Sequence, residues 1–326
     1  MNRHKLLIES RASLIEFDHV QSTRASTEAI LRETKASEAR RQRAAVFEWL
    51  SSPNVDAVHE RHVKSRSANA ESCRWILDDD RFRRWFDPVY CSIPLLWING
   101  KPGAGKPSTE EKICFIFSQI QCLRLLIPVQ GKSVLASMII EEAKKLSQVS
   151  VAYFYCGFRN PERDGFLPLA RAVLSQLLMQ NDSLLLYFEE KMSKPGTHGI
   201  LSSLGVAQEI LQTALKSRKA FLILDGIDEC GRDQRKEICT WFRYVVESLP
   251  TNEHGDIRCV FISQDDGIAR KDLSMLPTIT ITPSLNKADI TTFTRQWQTR
   301  IEERFGLLQD CGPSLVEIVP ARSQGL

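Results

Sequence analysis

The spacing of apolar and polar positions divides the chain into a helical first part and an alternating second part. Residues 4–50 contain neither Gly nor Pro and are rich in Ala, Glu, Arg and Leu, which predicts one long helix. Charges such as Glu28 and Arg32 sit at i, i+4 spacing on it, yet no clean heptad persists. Either a partner-binding arm or a solvated linker helix has this pattern, and Arg40, Arg41 and Arg43 read as a solvated face. Ser51-Ser-Pro-Asn54 is a break, and a second helical stretch is expected over roughly 69–86, with Trp75, Phe82, Trp85 and Phe86 as packing residues. Beyond it the period shifts. PLLWING (94–100), VAYFYC (151–156), AFLILD (220–225), IRCVFIS (257–263) and TITIT (278–282) are apolar runs of strand length. Helical patterns separate them at 169–180, 206–217 and 237–249. Strand and helix in alternation predict an α/β fold with a parallel sheet covered on both faces.

The first strand runs into Gly100-Lys101-Pro102-Gly103-Ala104-Gly105-Lys106, which fits G-x-x-x-x-G-K, the opening of a Walker A loop. Glycines allow successive backbone N–H groups to turn around phosphates, and the lysine supplies charge at the outer ones. The next position needs a Ser or Thr hydroxyl for Mg²⁺ but holds Pro107, which has no N–H and biases Lys106 away from helical geometry. The missing part stands downstream, where Gly131-Lys132-Ser133 precedes the apolar-periodic VLASMIIEEAKKL. Deleting 107–132 joins GKPGAGK to SVLASMIIEEAKKL and restores an uninterrupted loop and helix, with Gly-Lys at both edges of the cut. Residues 107–132 therefore read as an insertion, either a retained intron or a true loop. The expectation is that Gly100–Lys106 with Lys132 cradles phosphates and that Ser133 supplies the metal-binding hydroxyl.

Ala220-Phe-Leu-Ile-Leu-Asp225 followed by Gly-Ile-Asp228-Glu229 has the Walker B pattern. Buried apolar residues deliver Asp225 to the end of a strand, where it serves Mg²⁺, and Asp228 or Glu229 is suited to orient an attacking water. Gln264, after the fourth strand, offers an uncharged hydrogen-bond partner for a γ-phosphate. His59 and His62 are candidates to lie near a base, or else surface or core residues.

WINGKPGAGK, split from SVLASMIIEEA, together with ILDGIDECGRDQRKEICTWF, resembles the NACHT domain, in particular the nephrocystin-like N-terminal NTPase modules of fungal ankyrin- or WD-repeat proteins. The stretch ESCRWILDDDRFRRWF is similar to their helical lead-in, and the likeness covers most of residues 55–306. The resemblance implies a P-loop fold with a five-stranded parallel core, ATP or GTP with Mg²⁺ at the loop, and a switch of the STAND class. It also implies oligomerisation on activation, possible slow hydrolysis and a role in fungal self/non-self recognition or regulated cell death. The corresponding organisation is a helical arm (1–54), a helical lead-in (55–92), the NTPase domain (93–306) and a tail (307–326) that stops where relatives continue. A helical interaction fragment that binds no nucleotide is the alternative, and a small-molecule kinase lacks a recognisable acceptor site.

Composition changes this little. Of 326 residues, 43% are hydrophobic and 25% charged, and the net charge of +3 demands neither nucleic acid nor a membrane as partner. Nine cysteines, an odd number with no Cys-x-x-Cys, argue against zinc and for a reducing, cytoplasmic setting. The apolar stretch ICFIFSQIQCLRLLIPV is interrupted by Gln119, Gln121 and Arg124 and is poor transmembrane material.

Overall fold

The computed structural model describes residues 2–67, 71–100, 131–194 and 199–305. Helix α1 runs over Asn2–Leu50 and α2 over Val55–Ser67. The second of these lies within the lead-in expected over 55–92, ahead of the helical stretch expected over roughly 69–86. Its sequence, VDAVHERHVKSRS, is too polar to announce a buried face, but the Asn54 side chain accepts a hydrogen bond from Ala57 N (3.1 Å) and starts it. The helix expected over 69–86 is also split. A 3₁₀ turn covers Arg74–Asp78, and α3 covers Asp80–Phe86, where the Asp79 carboxylate accepts from Arg81 N and Phe82 N and so opens a new helix.

The strands are β1 (Leu95–Gly100), β2 (Ser150–Tyr155), β3 (Ala220–Asp225), β4 (Ile257–Gln264) and β5 (Thr278–Ile281). Between them lie α4 (Gly131–Lys144), α5 (Phe166–Gln180), α6 (Leu184–Met192), α7 (Leu204–Lys216), α8 (Arg232–Glu247) and α9 (Ala269–Leu273), with α10 (Pro283–Phe305) last. The short α6 is another helix the periodicity does not announce. Among the described residues the strands form one all-parallel sheet in the order β2-β3-β4-β1-β5. Strands β1, β2 and β3 are buried along their whole length, which is why they read as continuous apolar runs.

The order fixes where helices lie. The chain crosses from β1 to β2 in one direction and from β2 through β3 and β4 to β5 in the other. Right-handed crossovers then put α4 on one face and the later helices on the opposite one. Register partners in a parallel sheet share a face, so Tyr155, Asp225 and Ile262 point the same way, as do Phe221 and Arg258. Helix α4 packs on β2, β3 and β4 and against α2. On the same side His59 of α2 meets the rings of Tyr153 and Tyr155, and Trp85 of α3 meets Phe221.

Candidate functional site

In a parallel sheet whose connections depart in opposite directions, the crevice lies at the carboxyl ends of the strands beside the point of reversal. Here that is the end of β1 and its neighbour β4. Gly100 closes β1 opposite Gln264, and Asp265 N donates to Gly100 O (2.9 Å). Strand β3 lies on the other side of β4, so the ends of β1 and β3 stand two strand spacings apart, about 10 Å.

Asp225 ends β3 and is buried, with 4% of its surface exposed. Burial pushes its carboxyl up to about 7; a hydrogen bond from the Ser133 hydroxyl opposes this, Glu229 and Asp228 add to it, and the Lys132 ammonium opposes it. The beginning of α4 is thus docked on the end of β3, with Ser133 at the carboxylate and the Lys132 charge near enough to act on it. Gly226 then turns the chain at φ 74°, a left-handed conformation, and a Cβ there would stand 3.3 Å from Cys156 O. A 3₁₀ turn over Ile227–Glu229 follows.

Two more carboxylates emerge from that turn, one held by a backbone donor at the end of β4 and one by a backbone donor in the loop after β2. Asp228 Oδ1 accepts from Gln264 N (2.9 Å) and Glu229 Oε2 from Phe158 N (3.0 Å). Phe158 belongs to the loop after β2, which is tied to the same turn further on. Gly231 N donates to Asp164 Oδ1 (3.1 Å), and Gln234 Oε1 accepts from Phe166 N (3.0 Å) at the start of α5. Within the loop Arg159 is left-handed (φ 55°), its guanidinium over the exposed Phe158 ring. The loop after β4 is anchored by the buried Arg235, which ion-pairs with Asp266 (3.6 Å) and Asp272 (3.5 Å).

Of the residues singled out in the sequence, Gly100, Lys132, Ser133, Asp225, Asp228, Glu229 and Gln264 gather at the carboxyl ends of β1, β4 and β3. Lys101, Pro102, Gly103, Ala104, Gly105 and Lys106 lie outside the described residues, as does most of 107–132. His59 and His62 are core residues beneath β2. His59 Nε2 contacts Glu141 Oε1 (2.8 Å) and Nδ1 contacts Tyr155 Oη (2.9 Å), while the His62 ring packs on Tyr155. Phe158, whose N–H holds Glu229, is not among the residues the sequence singles out. A run of Gly, Asn, Pro and Asp directly after a strand was the available signal, since such loops at the carboxyl edge carry function. The donor set fits the expected ligands: a carboxylate and a hydroxyl in contact are hard oxygen donors suited to Mg²⁺, and a lysine at a helix start suits phosphate.

A strand-end carboxylate facing a helix-start hydroxyl and lysine across a parallel sheet defines a P-loop NTPase-like nucleotide-binding module, a class whose fold carries nucleotide and Mg²⁺. The chain belongs to the family described as Nephrocystin 3, N-terminal, which it matches over residues 71–110 and 122–264, more than half its length. The break in that match falls inside 107–132. The chain is similar to the vegetative incompatibility protein HET-E-1 of Podospora anserina, with 25% identity over 185 residues, 53% of this chain and 12% of the relative. It therefore spans only a small part of that relative's length. Among solved structures, Cdc6p from Pyrobaculum aerophilum aligns over 70% of this chain and 50% of its own, at 13% identity and a TM-score of 0.37. Among the described residues no helix is long and apolar enough to cross a membrane.

Proposed function

We propose that the chain is a nucleotide-operated signalling switch of the NACHT, STAND-type class, acting in the cytoplasm in fungal self/non-self recognition or regulated cell death. One observation carries this reading: the Ser133 hydroxyl reaches Asp225, with the Lys132 charge acting on the same carboxylate, although Pro107 interrupts the phosphate loop in the sequence. In this role Gly100–Lys106 and Lys132 hold the phosphates of ATP or GTP, and Ser133 and Asp225 hold Mg²⁺. Asp228 or Glu229 orients a water, and Gln264 reports the γ-phosphate. The ion's contribution is to neutralise phosphate charge. The chain's own contribution is position, since backbone donors hold Asp228 and Glu229 before any ligand arrives. Activated copies associate with each other, or with protein partners through the N-terminal helices. Residues 107–132 are a retained intron in this proposal.

The test is thermal unfolding with Mg²⁺–ATP or Mg²⁺–GTP, on this chain and on a version lacking 107–132. A ligand present at a hundred times its Kd adds about 2.7 kcal/mol of stability. Stabilisation that Ser133→Ala removes supports the switch. If neither chain responds to either nucleotide, the reading fails and the alternative stands, a helical interaction fragment without a nucleotide. Transcripts that contain only the long form overturn the intron.

A further inference from the structure

We propose that Arg235 is a positioning residue of the nucleotide site: with Asp266 and Asp272 it clasps the loop after β4 to α8 and so sets where Gln264 stands toward a terminal phosphate. The starting point is an arginine that stability alone does not explain. Arg235 is buried, and its N–H closes the first turn of α8 on Gly231 O (2.9 Å), where the helix dipole disfavours a cation. Its guanidinium meets Asp266 Oδ2 at 3.6 Å and Asp272 Oδ2 at 3.5 Å, and the buried Nε has no hydrogen-bond partner among the described residues. Both contacts are longer than the about 2.7–2.9 Å of a charge-assisted hydrogen bond. A charge taken out of water and paired this loosely recovers little of its desolvation cost, so the pairs mark a geometric requirement.

What the two carboxylates carry shows the requirement. Asp266 Oδ1 accepts from Ile268 N (3.1 Å) and Ala269 N (2.5 Å), and its Oδ2 faces Arg235. Asp265 ties the same loop to α9 through a bidentate pair with Arg270 (3.0 and 2.6 Å). Asp272 stands in α9, whose Ala269 and Leu273 are fully buried. The loop and α9 are thus one unit, and Arg235 grips it at both ends. At its start this unit enters the site through two successive residues. Gln264 N donates to Asp228 Oδ1 (2.9 Å), and Asp265 N donates to Gly100 O (2.9 Å). Asp228 precedes Arg235 on one turn-and-helix segment. That segment therefore holds the loop twice, by a carboxylate at the site and by a guanidinium behind it.

The register gives Gln264 its direction. It lies two residues past Ile262, the partner of Asp225, so both side chains leave the sheet on one face. An uncharged amide contributes to a phosphate only by hydrogen bonding, which depends on exact placement. A displacement of about 1 Å can cost a hundredfold in such a contact. A loop does not supply that accuracy by itself; two ion pairs to a packed helix do. The terminal phosphate is what separates a nucleoside triphosphate from a diphosphate. The clasp therefore governs that discrimination and leaves the shared phosphates to the residues around Ser133. This consequence rests on the switch reading; the holding of the loop does not.

The experiment is amide hydrogen exchange on the full chain, comparing wild type with Arg235→Gln and with the milder Asp272→Asn, which removes one pair only. Exchange is read at Gln264 and Asp265, with the interiors of β3 and β4 as reference. Both variants are expected to speed exchange at Gln264 and Asp265 about tenfold while the strand interiors keep their wild-type rates. Arg235→Lys, which keeps the charge without the planar fork, recovers part of the protection. Unchanged exchange at Gln264 and Asp265 in both variants overturns the proposal. So does an equal rise throughout the strands in both, which is a general loss of stability. Titration with Mg²⁺–ATP or Mg²⁺–GTP against the matching diphosphate reads the consequence. Arg235→Gln is expected to lower the preference for the triphosphate about tenfold and to leave diphosphate affinity unchanged. Equal losses for both nucleotides overturn the discriminating role. A wild-type chain that binds neither refutes the switch, and the exchange result still decides the clasp.

Discussion

At the scale of single residues the site is held at a cost to the ligand-free fold. A buried carboxylate is expensive unless cations and donors compensate it, and Asp225 sits near two further carboxylates, with Ser133 and Lys132 as partial relief. Asp225→Asn removes the charge and keeps the shape. It is expected to raise the ligand-free melting midpoint by about 2–4 °C, the shift roughly 1 kcal/mol makes in a domain of this size. The same variant loses any Mg²⁺-dependent response, and differential scanning calorimetry with and without Mg²⁺–ATP reads both. At Gly226 the left-handed backbone strains any side chain, and a Cβ would stand a tight 3.3 Å from Cys156 O. Gly226→Ala should lose about 1–3 kcal/mol in urea unfolding. Asp225 was legible because an apolar strand ending in an acid is a pattern of residue types. The donors that hold Asp228 and Glu229 were not: Gln264 N and Phe158 N are backbone groups, which every residue but proline carries.

At the scale of elements, two packing solutions decide how the sheet is bounded. Strand β2 is an edge, and its outward backbone groups are covered by two glutamines of α5 spaced i, i+4. Gln176 accepts from Tyr153 N (3.0 Å) and donates to Tyr153 O (2.9 Å), and Gln180 does the same for Val151 N and O (both 2.8 Å). Each side-chain amide stands in for a missing strand's peptide and hides an edge prone to pairing. Gln176→Leu leaves both Tyr153 groups unsatisfied and should cost about 2–3 kcal/mol. A Gln176→Leu chain as stable as wild type in urea would refute that account. Helix α2 presents the second case. Its buried residues are Val55 and two histidines, His59 and His62, so no apolar stripe announced it. His62 is pushed down to about 4 by burial, with Arg61, His59 and Arg163 adding to the effect, and it packs on Tyr155. The unfolded chain takes up this proton near pH 6.5, and the folded chain only near 4. The stability tied to His62 is therefore complete above pH 6.5 and is lost as pH falls toward 4, on the order of 3 kcal/mol in all. His59, also lowered by burial, adds in the same sense despite its hydrogen bond to Glu141. In His62→Leu the decline of the unfolding midpoint between pH 6.5 and 4.5 should be shallower; an unchanged slope assigns the acid sensitivity to other groups.

At the scale of the whole molecule, the fold class was legible because alternation of apolar runs with helical periods sums over many residues. The strand order was not, since it depends on which runs pair across the chain. The same distinction governs the arm. The sequence gives α1 as a helix without saying where it docks, and its 49 residues extend about 74 Å. Among residues 21–42 the described side chains are exposed, apart from the half-buried Ser37. Among the described side chains of α1, those of the last turns enter the core, through Val46, Trp49 and Leu50, and Trp49 O accepts from Leu201 N (2.8 Å). Arg43, lying over the Phe47 ring at 5.5 Å, pairs with Asp182 just before α6. Among the described side chains the anchor is thus a handful of residues at the C-terminal end, and Trp49 is the largest of them. Its indole N–H has no partner among the described residues, so the ring contributes area and fit rather than a hydrogen bond. Trp49→Ala should therefore cost about 3–5 kcal/mol through the cavity it opens. Trp49→Phe, which keeps most of the apolar ring and removes the unpartnered N–H, should cost much less. Equal losses in the two variants would mean that the indole nitrogen, not the packed ring, joins the arm to the sheet.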